Sequence, residues 1–248
     1  MKTIAVTGAS RGIGQAIAQH FLSHGWRVYC LARTEASVAP LLGAGDARFV
    51  SFDAASIDSV LVAAKQVLAF GDTLDALVNN AGVALAAPLA KTSTDDFLRL
   101  QAINVTAPFL LTRELFPALL KSKGRVVNIC STAARKGFKY TSAYCASKHA
   151  LLGLTRALAV ELAHKHVTVN AVSPGWTDTD MLTASIDRIA SSTGRSATEA
   201  RASLESMNPQ GRAVKPDEVA ALVGFLCESP AAAAITGADY TIDGGETV

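Results

Sequence analysis

"TIAVTGASRGIGQAI", residues 3–17, is the stretch that decides the fold class. Thr3–Thr7 is a short, continuous apolar run rich in β-branched residues, as a strand buried on both faces should be. A helical pattern then runs over 12–24. Between the two, Gly8, Gly12 and Gly14 stand at the spacing G-x-x-x-G-x-G. Glycines at such a turn let the chain reverse tightly and let a pyrophosphate approach the backbone at the positive end of a helix. The turn Gly8, Ser10, Arg11, Gly12, Ile13 and Gly14 is therefore a candidate nucleotide seat. Glycines also make plain strand–helix turns, and it is the placement after a strand and before a helix that favours the nucleotide.

The same rhythm continues outward. Further strand-like runs are Arg27–Leu31, Phe49–Phe52, Leu74–Val78, Arg125–Cys130, Thr168–Val172 and Asp239–Ile242. Helical patterns lie near 56–70, 94–121, 142–164 and 216–227. Strand–helix alternation of this kind predicts an α/β fold, a doubly wound parallel sheet of about seven strands with helices on both faces. No linker or repeat divides the chain, so residues 1–248 are expected to form one domain. Residues 177–212 break the rhythm: they are polar, and Ser196 and Glu199 stand at capping-box spacing. One or two short helices are expected there, placed to cover a site at the strand ends as a lid.

Composition removes several classes of function. Half of the 248 residues are apolar, and the formal net charge is only +2. That balance gives no footprint for nucleic acid or an anionic membrane. No apolar run approaches a membrane span, and the N-terminal apolar stretch is too short for a signal peptide. The four cysteines, Cys30, Cys130, Cys145 and Cys227, are scattered without a C-x-x-C pair. They suit neither a disulfide framework nor a zinc site, so no metal is expected and a reducing cytoplasm fits.

"YCLARTE", residues 29–35, ends the second strand. A fold that prefers NAD commonly holds the ribose hydroxyls with an acid about 20 residues beyond the glycines. Ala32 and Arg33 occupy that neighbourhood instead. An arginine pairs with a 2′-phosphate where an acid would repel it, and Arg11 could form the other side of the clamp. The alternative is two solvated arginines. NADP(H) is favoured; Glu35 keeps NAD(H) admissible.

"VNICSTAARKGFKYTSAYCASK", residues 127–148, places Ser131 at a strand end and puts Tyr144 and Lys148 four apart on a helix. Positions i and i+4 share a face, so a phenol and an ammonium are neighbours. Taken alone, the two read as a surface pair. A free phenol has a pKa near 10, and bringing it to about 7–8 needs roughly 3–4 kcal/mol of phenolate stabilisation. A cation about 4 Å away supplies on the order of 4 kcal/mol at an effective dielectric of 20. Lysine, joined by a positive oxidised nicotinamide, can therefore make Tyr144 a general acid/base, with Ser131 holding the substrate oxygen.

The glycine turn, "NNAG" at 79–82, Asn104, the spacing of Ser131, Tyr144 and Lys148, and "SPG" at 173–175 together resemble the short-chain dehydrogenase/reductase family, end to end. The resemblance implies a Rossmann-type sheet and a catalytic set of Asn104, Ser131, Tyr144 and Lys148. It places Asp53 at the adenine, Asn80, Ala81 and Gly82 along the adenine ribose, and Pro174, Gly175, Thr177 and Thr179 beside the nicotinamide. Asn79 reads as a structural strand-end residue. For Asn104 the sequence adds a hint. Pro108 has no N–H, so the Asn104 carbonyl loses its helical partner; it either seats a relay water or marks a kink that merely fits packing.

Within that family the chain is most similar to reductases of 3-oxoacyl thioesters and hydroxyacyl dehydrogenases, whose substrate is carried on coenzyme A or an acyl carrier protein. Arg135, Lys136, Lys139, Arg188, Arg195 and Arg201 could form a basic mouth for such phosphates, or a solvated rim. Phe138, Trp176 and Met181 either line an apolar pocket or pack the core. Action on a sugar, polyol, steroid or other alcohol is the alternative. A catalytically silent dinucleotide sensor is an alternative of another class. Family habit and the many-sided apolar surfaces of helices 94–121 and 142–164 imply a homotetramer.

Overall fold

Thr3–Thr7 forms β1 and Gly12–Ser23 forms α1 directly behind it, with the glycine turn between. In the computed structural model, which describes all residues 1–248, the other strands are β2 (Arg27–Ala32), β3 (Ala47–Ser51), β4 (Ala76–Asn79), β5 (Arg125–Ile129), β6 (Thr168–Pro174) and β7 (Asp239–Ile242). All pair in parallel in the order β3-β2-β1-β4-β5-β6-β7. The chain winds outward from β1 to β3, then crosses back to β4 and winds the other way. The crevice between β1 and β4 is thus the topological switch point, where an open α/β sheet binds ligands at its carboxyl ends.

Strand alternation sends successive side chains to opposite faces. Ile4 and Val6 join a core with Phe21 and Trp26 from the α1 side and Val219 and Val223 from α9 (Pro216–Glu228). Ala5 joins the other core. There α3 (Ile57–Ala69), α5 (Ala107–Ser122) and α6 (Ser142–Leu162) contribute Val60, Leu111, Leu115 and Leu162. The sheet is therefore covered on both faces, as the uninterrupted burial of β1, β4 and β6 requires. No helix is long and apolar enough to cross a membrane.

Two elements differ from expectation. A short helix, α2 (Ala39–Leu42), follows a 3-10 turn after β2. The single helix expected over 94–121 is α4 (Thr94–Gln101), a π-helical turn over Ala102–Thr106, and then α5. Pro108 offers no N–H to the Asn104 carbonyl, and the ladder answers by widening rather than by kinking sharply. The expected insertion is present as α7 (Asp180–Thr193) and α8 (Ala197–Glu205), the latter opened by a full Ser196–Glu199 capping box. Leu182, Ile186, Ala200 and Leu204 give it a small core of its own, against which Trp176 packs. Trp176 thus fills packing space, while Met181 stays exposed.

Candidate active site

The glycine turn is built by close approach. Gly8 and Gly12 have φ of 66° and 54°, in the left-handed region that favours glycine. A Cβ on Gly14 would stand 2.2 Å from the Gly8 carbonyl oxygen and 2.4 Å from Asn80 Nδ2. Asn80 ties the turn to β4: its Nδ2 donates to the Thr7 carbonyl at 2.8 Å. The N–H groups of Asn80 and Ala81 both donate to the Thr7 hydroxyl at 2.9 Å. The Asn80 side chain is therefore scaffold, and Ala81 and Gly82 present backbone to the crevice. Asn79 points into the sheet, donating to Asn128 Oδ1 at 2.8 Å and to the Thr112 hydroxyl.

Three elements bring the polar set together. Ser131 follows β5 and caps a short 3-10 turn, its hydroxyl accepting from the Ala133 N–H at 3.1 Å. Tyr144 and Lys148 lie one turn apart on α6, with the Lys148 Nζ 5.9 Å from the phenol ring centre. The buried ammonium donates to the Ile129 carbonyl at 2.9 Å. Asn104, on the π-helical turn, is fully engaged: its Oδ1 accepts from Val83 N–H at 3.0 Å, and its Nδ2 donates to Val83 carbonyl and Ser147 hydroxyl, both at 2.9 Å. A Cβ on Gly82 would lie 3.2 Å from Asn104 Oδ1 and 3.5 Å from Lys148 Nζ, so the amide and the ammonium share one niche.

The electrostatics of the ligand-free chain lack the nicotinamide charge that the expectation included. Burial pushes the Tyr144 phenol up to about 12, against the lowering influence of the neighbouring Ser131 hydroxyl. Lys148 is bonded to the strand and does not offset that burial; its own pKa is lowered by burial as well. In the ligand-free chain the phenol is thus a protonated acid, not a group poised near 7–8. Any further lowering belongs to the liganded state.

The remaining candidates surround the crevice. Asp53 is exposed beyond β3, with Oδ1 turned to the Ala55 N–H at 3.0 Å. Arg33 is exposed at the end of β2 and meets no acid. Arg11 instead pairs with Asp180 at 3.3 Å, so the pictured two-arginine clamp is not assembled here. An exposed pair of this kind contributes only ~0–1 kcal/mol, little enough for a phosphate to displace. Pro174 ends β6 and Gly175 continues the turn. Thr177 is buried, its hydroxyl donating to the Gly175 carbonyl at 3.0 Å, and Thr179 donates to the Thr177 carbonyl at 3.2 Å. Thr179 also leans on the glycine turn, 3.1 Å from a Cβ on Gly12.

Half of the expected basic mouth is neutralised. Arg135 pairs with Asp239, Lys136 with Glu246, and Arg201 with Asp178 and Glu205. Lys139, Arg188 and Arg195 meet no acid, and Arg188 reaches from α7 to the Ala86 carbonyl at 3.3 Å, joining the inserted helices to the loop after β4. Lys136 also stands over the Phe138 ring.

Sequence reasoning missed Glu246. Its carboxylate is buried beneath the Gly175 turn, where a Cβ on Gly175 would meet Oε2 at 2.9 Å. Neither oxygen has a hydrogen-bond partner, and the Lys136 ammonium stands 3.5 Å away, an ion-pair distance. Burial raises this carboxyl above its ordinary 4.5, with Lys136 pulling the other way. A raised folded-state pKa gives stability that is present below the unfolded value and lost as pH rises through the folded one. Glu246→Gln should therefore melt above the wild type at pH 7.5, and the gap should close near pH 4. A lower midpoint at pH 7.5 in a calorimetric scan would contradict this.

These residues fit a dinucleotide. The first turn of α1 has no side-chain cap and no acid, and its N-terminus opens on a turn where Gly8, Gly12 and Gly14 leave no room for a Cβ. Unpaired N–H groups and the helix dipole there favour an anion such as a pyrophosphate. Ser131 and Tyr144 then stand together at the carboxyl end of β5, two hydroxyls able to donate to one oxygen.

Comparisons with known proteins agree with this geometry. A family profile described as enoyl-(acyl carrier protein) reductase matches residues 8–247. Protein FixR of Bradyrhizobium diazoefficiens is 38% identical, over 99% of this chain and 86% of that protein. A 3-oxoacyl-(acyl-carrier-protein) reductase of Synechocystis is 37% identical, over 97% and 94%. The crystal structure of a variant actinorhodin polyketide ketoreductase with NADPH superposes with a TM-score of 0.94 at 34% identity, covering 99% of this chain and 97% of that one. Other relatives include a D-threitol dehydrogenase of Mycolicibacterium smegmatis, and a Brucella melitensis 3-ketoacyl-(acyl-carrier-protein) reductase was solved with NADH. With the glycine turn, the switch-point crevice and the serine–tyrosine–lysine set in place, the chain belongs to the short-chain dehydrogenase/reductase family and is a nicotinamide-dependent oxidoreductase acting on carbonyl or CH–OH groups.

Proposed function

We propose that the protein reduces 3-oxoacyl thioesters, carried on coenzyme A or an acyl carrier protein, with NADPH. The observation that carries this reading is the close likeness in backbone, over nearly the whole chain, to a polyketide ketoreductase solved with NADPH. Lys139, Arg188 and Arg195, the cations left without acids, are the groups for the carrier's phosphates. The lid over 177–212 covers the acyl chain. The exposed apolar residues Phe97, Phe109 and Val160 on α4, α5 and α6 support a homotetramer, and a cytoplasmic setting suits the free cysteines.

Reduced nicotinamide, when bound, supplies the hydride. Gly8, Ser10, Arg11, Gly12, Ile13 and Gly14 hold the pyrophosphate; Asp53, Asn80, Ala81 and Gly82 border the adenosine; Pro174, Gly175, Thr177 and Thr179 orient the nicotinamide end. Ser131 donates a hydrogen bond to the substrate oxygen. Tyr144, protonated at neutral pH, gives its proton to that oxygen as negative charge develops. Lys148 then stabilises the phenolate. Its own pKa is lowered by burial, so it readily passes a proton back. Asn104 fixes the niche from which water refills Lys148.

The test is a turnover screen of 3-oxoacyl thioesters, small ketones and polyols with both nicotinamides. Thioester reduction with NADPH should show the highest kcat/KM. Dominant polyol oxidation with NAD would favour the other class of relatives, and dinucleotide binding without turnover would leave only a sensor. Arg33→Ala isolates the cofactor choice. Charge-assisted hydrogen bonds contribute about 1.5–3 kcal/mol, so KM for NADPH should rise roughly 10- to 150-fold, with KM for NADH unmoved. Equal effects on both cofactors would remove the arginine's assigned role.

A further inference from the structure

We propose that His20, His24 and Glu228 form a site for one divalent transition-metal ion of the zinc class, clamping α1 to α9 on a part of the protein that the catalytic groups do not use. His20 and His24 are one turn apart on α1, and Glu228 is the last residue of α9. Imidazoles at i and i+4 present their nitrogens to one side of a helix.

The donor atoms already converge. His24 Nδ1 lies 2.9 and 3.1 Å from the two Glu228 oxygens, and His20 Nε2 lies 3.3 Å from Oε2. The three donors all fall within 4.8 Å of one another. An ion bound tetrahedrally at ~2.0–2.1 Å from each ligand needs donors roughly 3.3 Å apart, and each histidine already stands 2.9–3.3 Å from a Glu228 oxygen. No other group of three histidines, cysteines or acids in the chain converges in this way.

The packing around the group points the same way. A Cβ at position 224 would stand 2.2 Å from His20 Nε2, so Gly224 on α9 clears the space the imidazole needs. The His20 and Glu228 side chains are about four-fifths and three-quarters buried, and His24 forms the solvent side. The two rings meet edge to face, 4.2 Å apart. Two imidazoles and one carboxylate select zinc, nickel or copper over calcium or magnesium, which take oxygen donors. Three protein ligands leave a coordination position for water.

Ion pairing alone would also draw two histidines to a glutamate, and the experiment separates the two. Tag-free protein is titrated with zinc chloride by calorimetry, and with cobalt chloride while visible absorbance is read. One equivalent of zinc should bind and raise the melting midpoint, and cobalt should give the intense visible bands of a tetrahedral site. His24→Ala, at the exposed position where folding is safe, should weaken zinc binding more than about 100-fold, beyond the 10- to 100-fold that loss of an outer partner costs. Glu228→Gln should weaken it too, and magnesium should not compete. Absence of zinc binding by the wild type, or equal binding by His24→Ala, would overturn the site.

Discussion

Tyr144→Phe is expected to lower carbonyl turnover by about 10²–10⁴-fold, the share that a positioned proton donor contributes. That is about 2.7–5.5 kcal/mol of barrier at 1.36 kcal/mol per decade. The substitution removes one oxygen and keeps the ring, so α6 and its packing are retained. The neighbouring serine hydroxyl keeps its backbone partner at Ala133. Stability should hold within about 1 kcal/mol, the net contribution of one hydrogen bond. Dinucleotide affinity, which the proposed function assigns to the glycine turn, should hold. Stopped-flow rates and a cofactor titration on one preparation read both. A variant within about tenfold of wild-type turnover would remove Tyr144 as the proton donor.

That prediction draws on something the sequence did not carry. The i, i+4 spacing placed Tyr144 and Lys148 on one face, and they are there. It could not say what else the ammonium would meet. The Ile129 carbonyl comes from a strand 19 residues earlier and captures it. Burial of the phenol is a property of the assembled crevice, and in the ligand-free chain it raises the phenol rather than lowering it. The sequence was most legible where a local rule acts alone. β1 and β7 fall at the expected residues, since an apolar run bounded by turn residues leaves little choice. The capping box at Ser196 is equally local. Legibility failed where partners come from distant segments. Asp180 claims Arg11, acids neutralise half of the supposed basic mouth, and Glu246 returns from the C-terminus to lie under Gly175. Pro108 is an intermediate case. It announced a disturbed helix at Asn104, but whether the ladder would kink or widen depended on packing that ties the Asn104 amide to Val83 and Ser147.

Gly14→Ala tests the other half of the site, and here two physical effects oppose each other. Gly14 lies in the first turn of α1, where alanine is the better helix former by up to ~1 kcal/mol. Its φ is not in the left-handed region, so the backbone itself would accept a side chain. Local propensity therefore predicts a more stable protein. Contact predicts the reverse. The added methyl would stand 2.2 Å from the Gly8 carbonyl oxygen and 2.8 Å from its carbon, and these are backbone atoms that cannot rotate away. Overpacking costs about 1–3 kcal/mol. Moving Gly8 also strains the Asn80 bonds to Thr7 and Gly8, at about 1 kcal/mol for each one lost. The steric term wins, by a net ~1–3 kcal/mol. At about 2–4 °C per kcal/mol for a chain of this size, the melting midpoint should fall by roughly 2–12 °C. The dinucleotide reads the same distortion directly. In the proposed function the turn and the α1 N-terminus seat its pyrophosphate, so Kd should rise by at least about tenfold, the equivalent of 1.4 kcal/mol. An alanine variant that melts at or above the wild type and binds dinucleotide equally well would mean that the turn tolerates a side chain, and that the cofactor is held elsewhere.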